Sequence, residues 1–359
     1  MKTSNTKIIS EIVEKSQLDH FDLDTIQNRK LLNRQLYDRL NSLEPHREKR
    51  NKTVKSCYQF FARDVYKHIE TNKLKSDIKT AISCKHRFCA QCQYIKSRKL
   101  FHEVYQSLSY ISTLHKGSTY YLLTLTYPNP KLQDLRSTIA LMKKAWKLMS
   151  NPTTTTKKYA SIKKNLRGYF STLEFITDKT PKGEAHPHFH IVLVFNKTYS
   201  NSKDYITRKE WLSMWQYATK NSNITQVDIK KIKPIITPKL GKLKSDLVGA
   251  VSEVVKYSAK PTTILNLDDQ DLKLLLEQTE RVHTFTRTKY FTDLLKILKT
   301  DPEIQRLKEE EDLLWQFLYS ETYAYNSKGY KLMSSSKPKP IQPEEAETLN
   351  VIIDDKYLM

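Results

Sequence analysis

The sequence predicts an α+β protein, and three observations predict it. The stretch His186-Pro-His-Phe-His190 runs on into Ile-Val-Leu-Val-Phe195, an alternating strand. Two further strand-like runs, Tyr120–Tyr127 and Gly168–Phe175, have a stretch with helical spacing between them. All four cysteines fall between residues 57 and 92, in a loop-rich, basic segment.

Composition narrows the function classes. The chain has 359 residues, room for one large domain or two or three smaller ones. Sixty-one Lys+Arg against 39 Asp+Glu give a net charge of +22 and a pI of about 9.6. A chain this basic calls for a polyanionic partner, bound with steep salt dependence. No N-terminal segment has the form of a signal peptide, and no apolar run approaches the roughly 20 residues that span a membrane. Clustered cysteines in such a chain read as metal ligands rather than disulfides, so a cytoplasmic protein with no membrane partner is expected.

Residues 1–53 are polar and charged, with Leu31, Leu32, Leu36 and Leu40 at helical spacing, and read as a helical or partly disordered lead-in. Residues 54–100 read as a zinc-binding module. Cys89 and Cys92 form a C-x-x-C knuckle, Cys84 is close enough to be a third ligand, and Cys57 is the natural fourth, with His86 and His68 as substitutes. Four protein ligands leave no open position, so the ion is structural. Arg87, Lys96, Arg98 and Lys99 surround the knuckle with Phe88 and Tyr94 interleaved, a composition suited to DNA contact.

Residues 101–116 have one apolar helical face, Val104, Leu108 and Ile111, and Gly117 ends it. The strand 120–127 follows, closed by Pro128 and Pro130, and a helix over 132–150. In the strand Gly168–Phe175, Glu174 lies opposite Leu173 and Phe175, and a loop with Pro181 and Gly183 turns the chain back into the histidine strand. Period two puts His188 and His190 on one face and Phe189, Ile191, Leu193 and Phe195 on the other. The hairpin can set Glu174 beside the two imidazoles, a facial set with open positions for a divalent metal. A helix is expected over 208–220 and a strand over 224–233, and six lysines from Lys230 to Lys244 form a possible phosphate-tracking edge. A helix over Val248–Lys260, ended by Pro261, would line Glu253, Lys256, Tyr257 and Lys260 along one side. Residues 263–330 read as a helical C-terminal region, with helices at Leu272–Leu275, Leu294–Leu298 and Leu313–Leu318, and 331–359 as a flexible tail.

Taken in order, Cys84-Lys-His-Arg-Phe-Cys-Ala-Gln-Cys92, Leu122-Leu-Thr-Leu-Thr126, His186-Pro-His-Phe-His190 and Glu253-Val-Val-Lys-Tyr257-Ser-Ala-Lys260 resemble the rolling-circle replication initiators of small bacterial plasmids, within the HUH endonucleases. The resemblance covers about Cys57 to Pro261, and Ala90 stands where that family's cysteine cluster usually has proline. It implies an RRM-like antiparallel sheet with flanking helices over residues 101–262. It also implies a Mg²⁺ or Mn²⁺ ion on His188, His190 and a third polar residue, for which Glu174 is the choice. Tyr257 would be the nucleophile and Glu253 the group that activates water in the terminating cut. Arg87, Lys96, Arg98, Lys256 and Lys260 are the expected DNA contacts. The implied partner is plasmid origin DNA, single-stranded or supercoiled, with host helicase and polymerase as further candidates. A relaxase or single-strand transposase of the same superfamily, or a non-enzymatic zinc-containing DNA-binding regulator, are the alternatives. Relaxases usually place the tyrosine ahead of the histidines, and the transposases tend to be much shorter and to lack the cysteine module.

Overall fold

Local sequence signals set several of the helix starts. In the computed structural model, which describes residues 22–114, 118–152, 157–232, 246–255 and 258–336, Asp22 caps α1 (Leu23–Leu43) by accepting from the Asp24 and Thr25 amides. There follow α2 (Glu48–Ser56), β1 (Phe60–His68), β2 (Leu74–Ala81), α3 (Ala90–Leu114), β3 (Ser118–Thr126), α4 (Leu135–Ser150), α5 (Lys157–Asn165), β4 (Leu166–Glu174) and β5 (His188–Asn196). A Thr207/Glu210 capping box starts α6 (Arg208–Thr219), ahead of β6 (Val227–Ile232) and α7 (Asp246–Val254). Pro261 is the first residue of α8 (Pro261–Leu265), where its missing amide costs nothing, and α9 (Asp269–Thr279) and β7 (Phe285–Arg287) come next. The described chain ends with α10 (Lys289–Thr300), α11 (Pro302–Leu313), β8 (Trp315–Asn326) and β9 (Gly329–Ser336).

Two antiparallel sheets result. The first has the order β6-β3-β5-β4-β7, with β5 at its centre. Its register aligns Thr124, His190 and Thr172 across three strands, and Thr126, His188 and Glu174 two residues further along. One face, with Leu125, Leu173, Ile191, Leu193 and Phe195, packs on Met142 and Trp146 of α4 and Trp211 and Trp215 of α6. The alternation expected for β5 is present, but the imidazole face is not given over to the histidines alone. Val192 and Val194 on that side are buried against Val104 and Leu108 of α3, Val251 and Val254 of α7 and Phe291 of α10. Helices cover both faces, so β5 is buried along nearly all its length. Each large apolar side chain so enclosed stabilises the fold by about 1.5–3 kcal/mol.

The second sheet, β2-β1-β8-β9, corrects the expectation of a helical C-terminal region followed by a flexible tail. Residues 315–318 are strand, and residues 331–336 belong to β9. Trp315, Phe317, Tyr319, Tyr323 and Tyr325 recur at every second or fourth position, a β pattern that pairs with β1 from Phe60 to His68. Region 263–330 also gives the first sheet its edge strand β7, so it is not helical throughout. Two further boundaries move. α3 begins at Ala90, eleven residues before the expected start at 101. α7 stops at Val254, so Lys260 does not share a helix face with Glu253. In the lead-in, α1 and α2 put Leu36, Leu40 and Val54 into the main core.

Candidate metal centres and nucleic-acid interface

The hairpin of β4 and β5 brings three ligand types to one point. Glu174 Oε2 lies 2.9 Å from His188 Nε2 and 3.4 Å from His190 Nε2, and all three side chains are at most a tenth exposed. His188 Nδ1 is 2.9 Å from the His186 carbonyl, which can only accept, so Nδ1 carries the proton. In the neutral ring Nε2 is then a bare lone pair aimed at a carboxylate lone pair. Two acceptors at that distance repel unless a proton or a metal ion sits among them. The backbone carbonyl behind His188 is the usual outer support of a metal-bound imidazole. The donor set therefore fits a divalent cation, with Glu174, His188 and His190 able to hold it. Burial pushes the Glu174 carboxyl up, but with the rings protonated in the absence of a metal the hydrogen bonds from His188 and then His190 outweigh it and bring it down to about 2. His186 stands apart, with Nδ1 2.7 Å from Asn129 Oδ1.

Glu253, at the end of α7, reaches the same place, with Oε1 3.9 Å from His190 Nε2. Tyr257 and Lys256 lie outside the described residues. Their neighbours are tied to the sheet and to α3: Thr172 Oγ1 donates to the Val254 carbonyl, Ser97 Oγ of α3 to that of Val255 at 2.7 Å, and the Phe175 amide to that of Ser258 at 2.8 Å. Thr172 was missed in the sequence, although period two sets it on the Glu174 face two residues earlier.

The four cysteines form a second group. Their sulfurs all lie within 4.8 Å of one another, with Cys57 3.5 Å from Cys89 and 3.7 Å from Cys92, and Cys84 3.7 Å from Cys92. Sulfurs held at about 2.3 Å from a tetrahedral ion are about 3.8 Å apart, so the set is already near the required size. Cys57 is thus the fourth member. His86 Nδ1 accepts from the Phe88 amide instead, and His68 Nδ1 from those of Glu70 and Thr71. Hydrogen bonding with Cys57, then Cys84 and Cys89, pulls the Cys92 thiol well below its ordinary range. Lys30, which no local pattern marks, is buried beside the group and donates to the carbonyls of Lys55 and Cys57 at 2.6 and 2.8 Å. Burial lowers its ammonium to about 8.

The expected DNA contacts are scattered. Arg87 donates to the Val282 carbonyl at 3.1 Å, Lys96 approaches Thr284 Oγ1 at 3.4 Å, and the Arg98 guanidinium lies 6.0 Å from the Phe101 ring centre. Lys260 pairs with Asp178 at 2.7 Å, away from the Glu253 helix. Of the six lysines from 230 to 244, only Lys230 and Lys231 are described, and Lys230 pairs with Asp228.

A buried carboxylate and two imidazoles on an antiparallel sheet, together with a compact cysteine tetrad, give a strongly basic chain two groups with the donor atoms to hold a metal ion. Residues 75–333 match the Rep_1 family, described as "Replication protein", and the chain belongs to that family. This bears out the resemblance to plasmid replication initiators. A "Protein rep" of Staphylococcus aureus is 32% identical over 213 residues, 59% of this chain and 82% of the relative. Another, from Streptococcus pneumoniae, is 27% identical and covers 66% of this chain and 67% of the relative. One from Bacillus amyloliquefaciens is 29% identical, with 62% and 63% covered. No solved structure matches the chain. Among the described residues, no helix is long and apolar enough to cross a membrane.

Proposed function

We propose that the chain starts rolling-circle replication of a plasmid by nicking origin DNA through a phosphotyrosine. The observation that carries this reading is the convergence of Glu174, His188 and His190 with Glu253 at the edge of the group. Along the chain, β3, α4, β4, β5, α6 and β6 follow a β-α-β-β-α-β order with the short α5 added ahead of β4, and the sheet order β6-β3-β5-β4 supports an RRM-like core of the HUH type. In this reading residues 54–100 are the zinc module and 101–262 the nuclease core. Cys57, Cys84, Cys89 and Cys92 hold a structural Zn²⁺, and Glu174, His188 and His190 hold Mg²⁺ or Mn²⁺.

The bound divalent ion would polarise a non-bridging phosphate oxygen and ease departure of the 3′-oxygen. Tyr257 attacks the phosphorus, its phenol loses a proton, and the products are a 5′-phosphotyrosine and a free 3′-hydroxyl that a polymerase can extend. The ester keeps the bond energy, so a 3′-hydroxyl can later displace Tyr257 without ATP. Glu253, at the rim and about a third exposed, accepts a proton from water in the terminating cut. Arg87, Lys96, Arg98, Lys256 and Lys260 contact the DNA, and helicase and polymerase would act on the nicked product.

The test is a denaturing gel of protein incubated with labelled single-stranded origin DNA and Mn²⁺. A covalent adduct is expected with the parent and none with Tyr257→Phe. An adduct of equal yield in Tyr257→Phe would remove the nucleophile assignment. Cleavage that needs no divalent metal and survives His188→Ala would remove the metal assignment.

A further inference from the structure

A cleft of about 670 Å³ lies between the start of α3 and the segment leading into β7. Lys85, Arg87, Lys96, Lys99 and Arg281 line it, and no carboxylate is among the described lining residues. The contrast with its surroundings is sharp. In the adjoining pocket, which Lys85, Arg87 and Arg281 also border, Arg47 pairs with Glu44 and Glu280, and Arg50 reaches Glu280 at 4.0 Å. Arg87, one of the lining residues, has a buried Nη1 that meets no hydrogen-bond partner among the described residues. Burial, then the charges of Arg50 and Arg136, pull that guanidinium below its ordinary range. Two of the lining cations, Lys85 and Arg281, sit on left-handed backbone, with φ of 54° and 57°. Such backbone costs about 1–2 kcal/mol in a non-glycine residue and collects at functional sites. A set of cations with no carboxylate among them suits an anion.

Shape and position say which anion. Leu100, Val282 and Phe285 give the cleft apolar walls beside its cations. A duplex presents phosphates and hides its bases. A single strand offers both phosphates for cations and bases for apolar surfaces. The inner end of the cleft is bordered by Thr172, Val255 and Ser258. Thr172 is the register partner of His190. Cys92 also lines the cleft, so the cysteine module and the histidine sheet both contribute to it.

We infer that this cleft binds single-stranded DNA and leads one side of the cut strand away from the histidine centre, with the cysteine module contributing to its lining. The role in the cut strand rests on the nicking reading above.

The full-length chain tests this by fluorescence anisotropy on a labelled single-stranded oligonucleotide without added Mg²⁺ or Mn²⁺. The double variant Lys99→Ala/Arg281→Ala should weaken binding about tenfold or more. Two lost phosphate contacts should also flatten the slope of log K against log salt by about 1.4, at about 0.7 for each contact. Lys147→Ala, an exposed lysine on α4 across the sheet, should match the parent. Parent-like affinity and slope in the double variant would overturn the proposal, and so would an equal loss of duplex binding. Adduct formation by the parent is scored separately. Its absence alongside a weakened double variant would remove the nicking reading and leave the single-strand surface standing.

Discussion

Replacing Glu174 by Gln keeps the side chain's shape and removes its charge, so it isolates what the carboxylate does in the absence of divalent metal. The carboxyl titrates at about 2 rather than 4.5. At about 1.36 kcal/mol per pH unit, that difference of about 2.5 corresponds to about 3 kcal/mol. The side chain is only a tenth exposed, so water screens little of it. Its folded value is depressed, so the stabilisation is complete above pH 4.5 and is lost as pH falls from there towards 2. At pH 3.5, one unit into that window, about 1.4 kcal/mol should be gone. The assay is urea unfolding without added Mg²⁺ or Mn²⁺ at pH 6.5 and 3.5, followed by tryptophan fluorescence, since Trp146, Trp211 and Trp215 are core residues. Any metal that the cysteine group releases in acid affects parent and variant alike and cancels in their difference. The stability gap between parent and Glu174→Gln should shrink by about 1.4 kcal/mol on acidification. A gap that stays constant from pH 6.5 to 3.5 would refute the reasoning.

Three other outcomes are expected. Mn²⁺ at a hundredfold excess over its dissociation constant should stabilise the parent by about 2.7 kcal/mol in thermal unfolding, and His190→Ala should lose most of that gain. Cys57→Ser should release bound zinc to a chromophoric chelator more readily and open residues 57–92 to protease; equal protection would exclude the tetrad as a structural site. Phe195→Ala, at a fully buried position on the far face of β5, should cost about 3–5 kcal/mol in urea unfolding, and a loss below about 1 kcal/mol would mean that the face is not core.

What was legible in the sequence was local. Period two alone puts His188 and His190 on one face, and the hairpin register then delivers Glu174. The C-x-x-C spacing announces a metal knuckle, but Cys57 is far from it in sequence, and only folding chooses it over His86 and His68. The end of α7 was misplaced because Val248–Lys260 has helical spacing throughout, and the tie from Thr172 to the Val254 carbonyl cannot be seen from spacing. The strand β8 was read as helix because Leu313 and Leu314 precede it. Its aromatic alternation is paired on one side by the next strand, β9, and on the other by β1, at the far end of the described chain. The basic cleft was invisible for the same reason: Lys99 and Arg281 come from segments brought together only by the tertiary fold.

The pairing of β1 with β8 also sets an order of events during synthesis. Arg63 and Glu321 are bonded across it, 258 positions apart. Tyr323 and Tyr330, from the closing hairpin, cover the pocket that contains Cys57 and Cys89. While the ribosome is still short of β9, the histidine strand is already present but the cysteine pocket lacks its cover. The late arrival of the hairpin makes this a contact of long sequence separation, slow to close. A nascent or prematurely ended chain would therefore hold a metal-ligand sheet without a sealed cysteine module beside it.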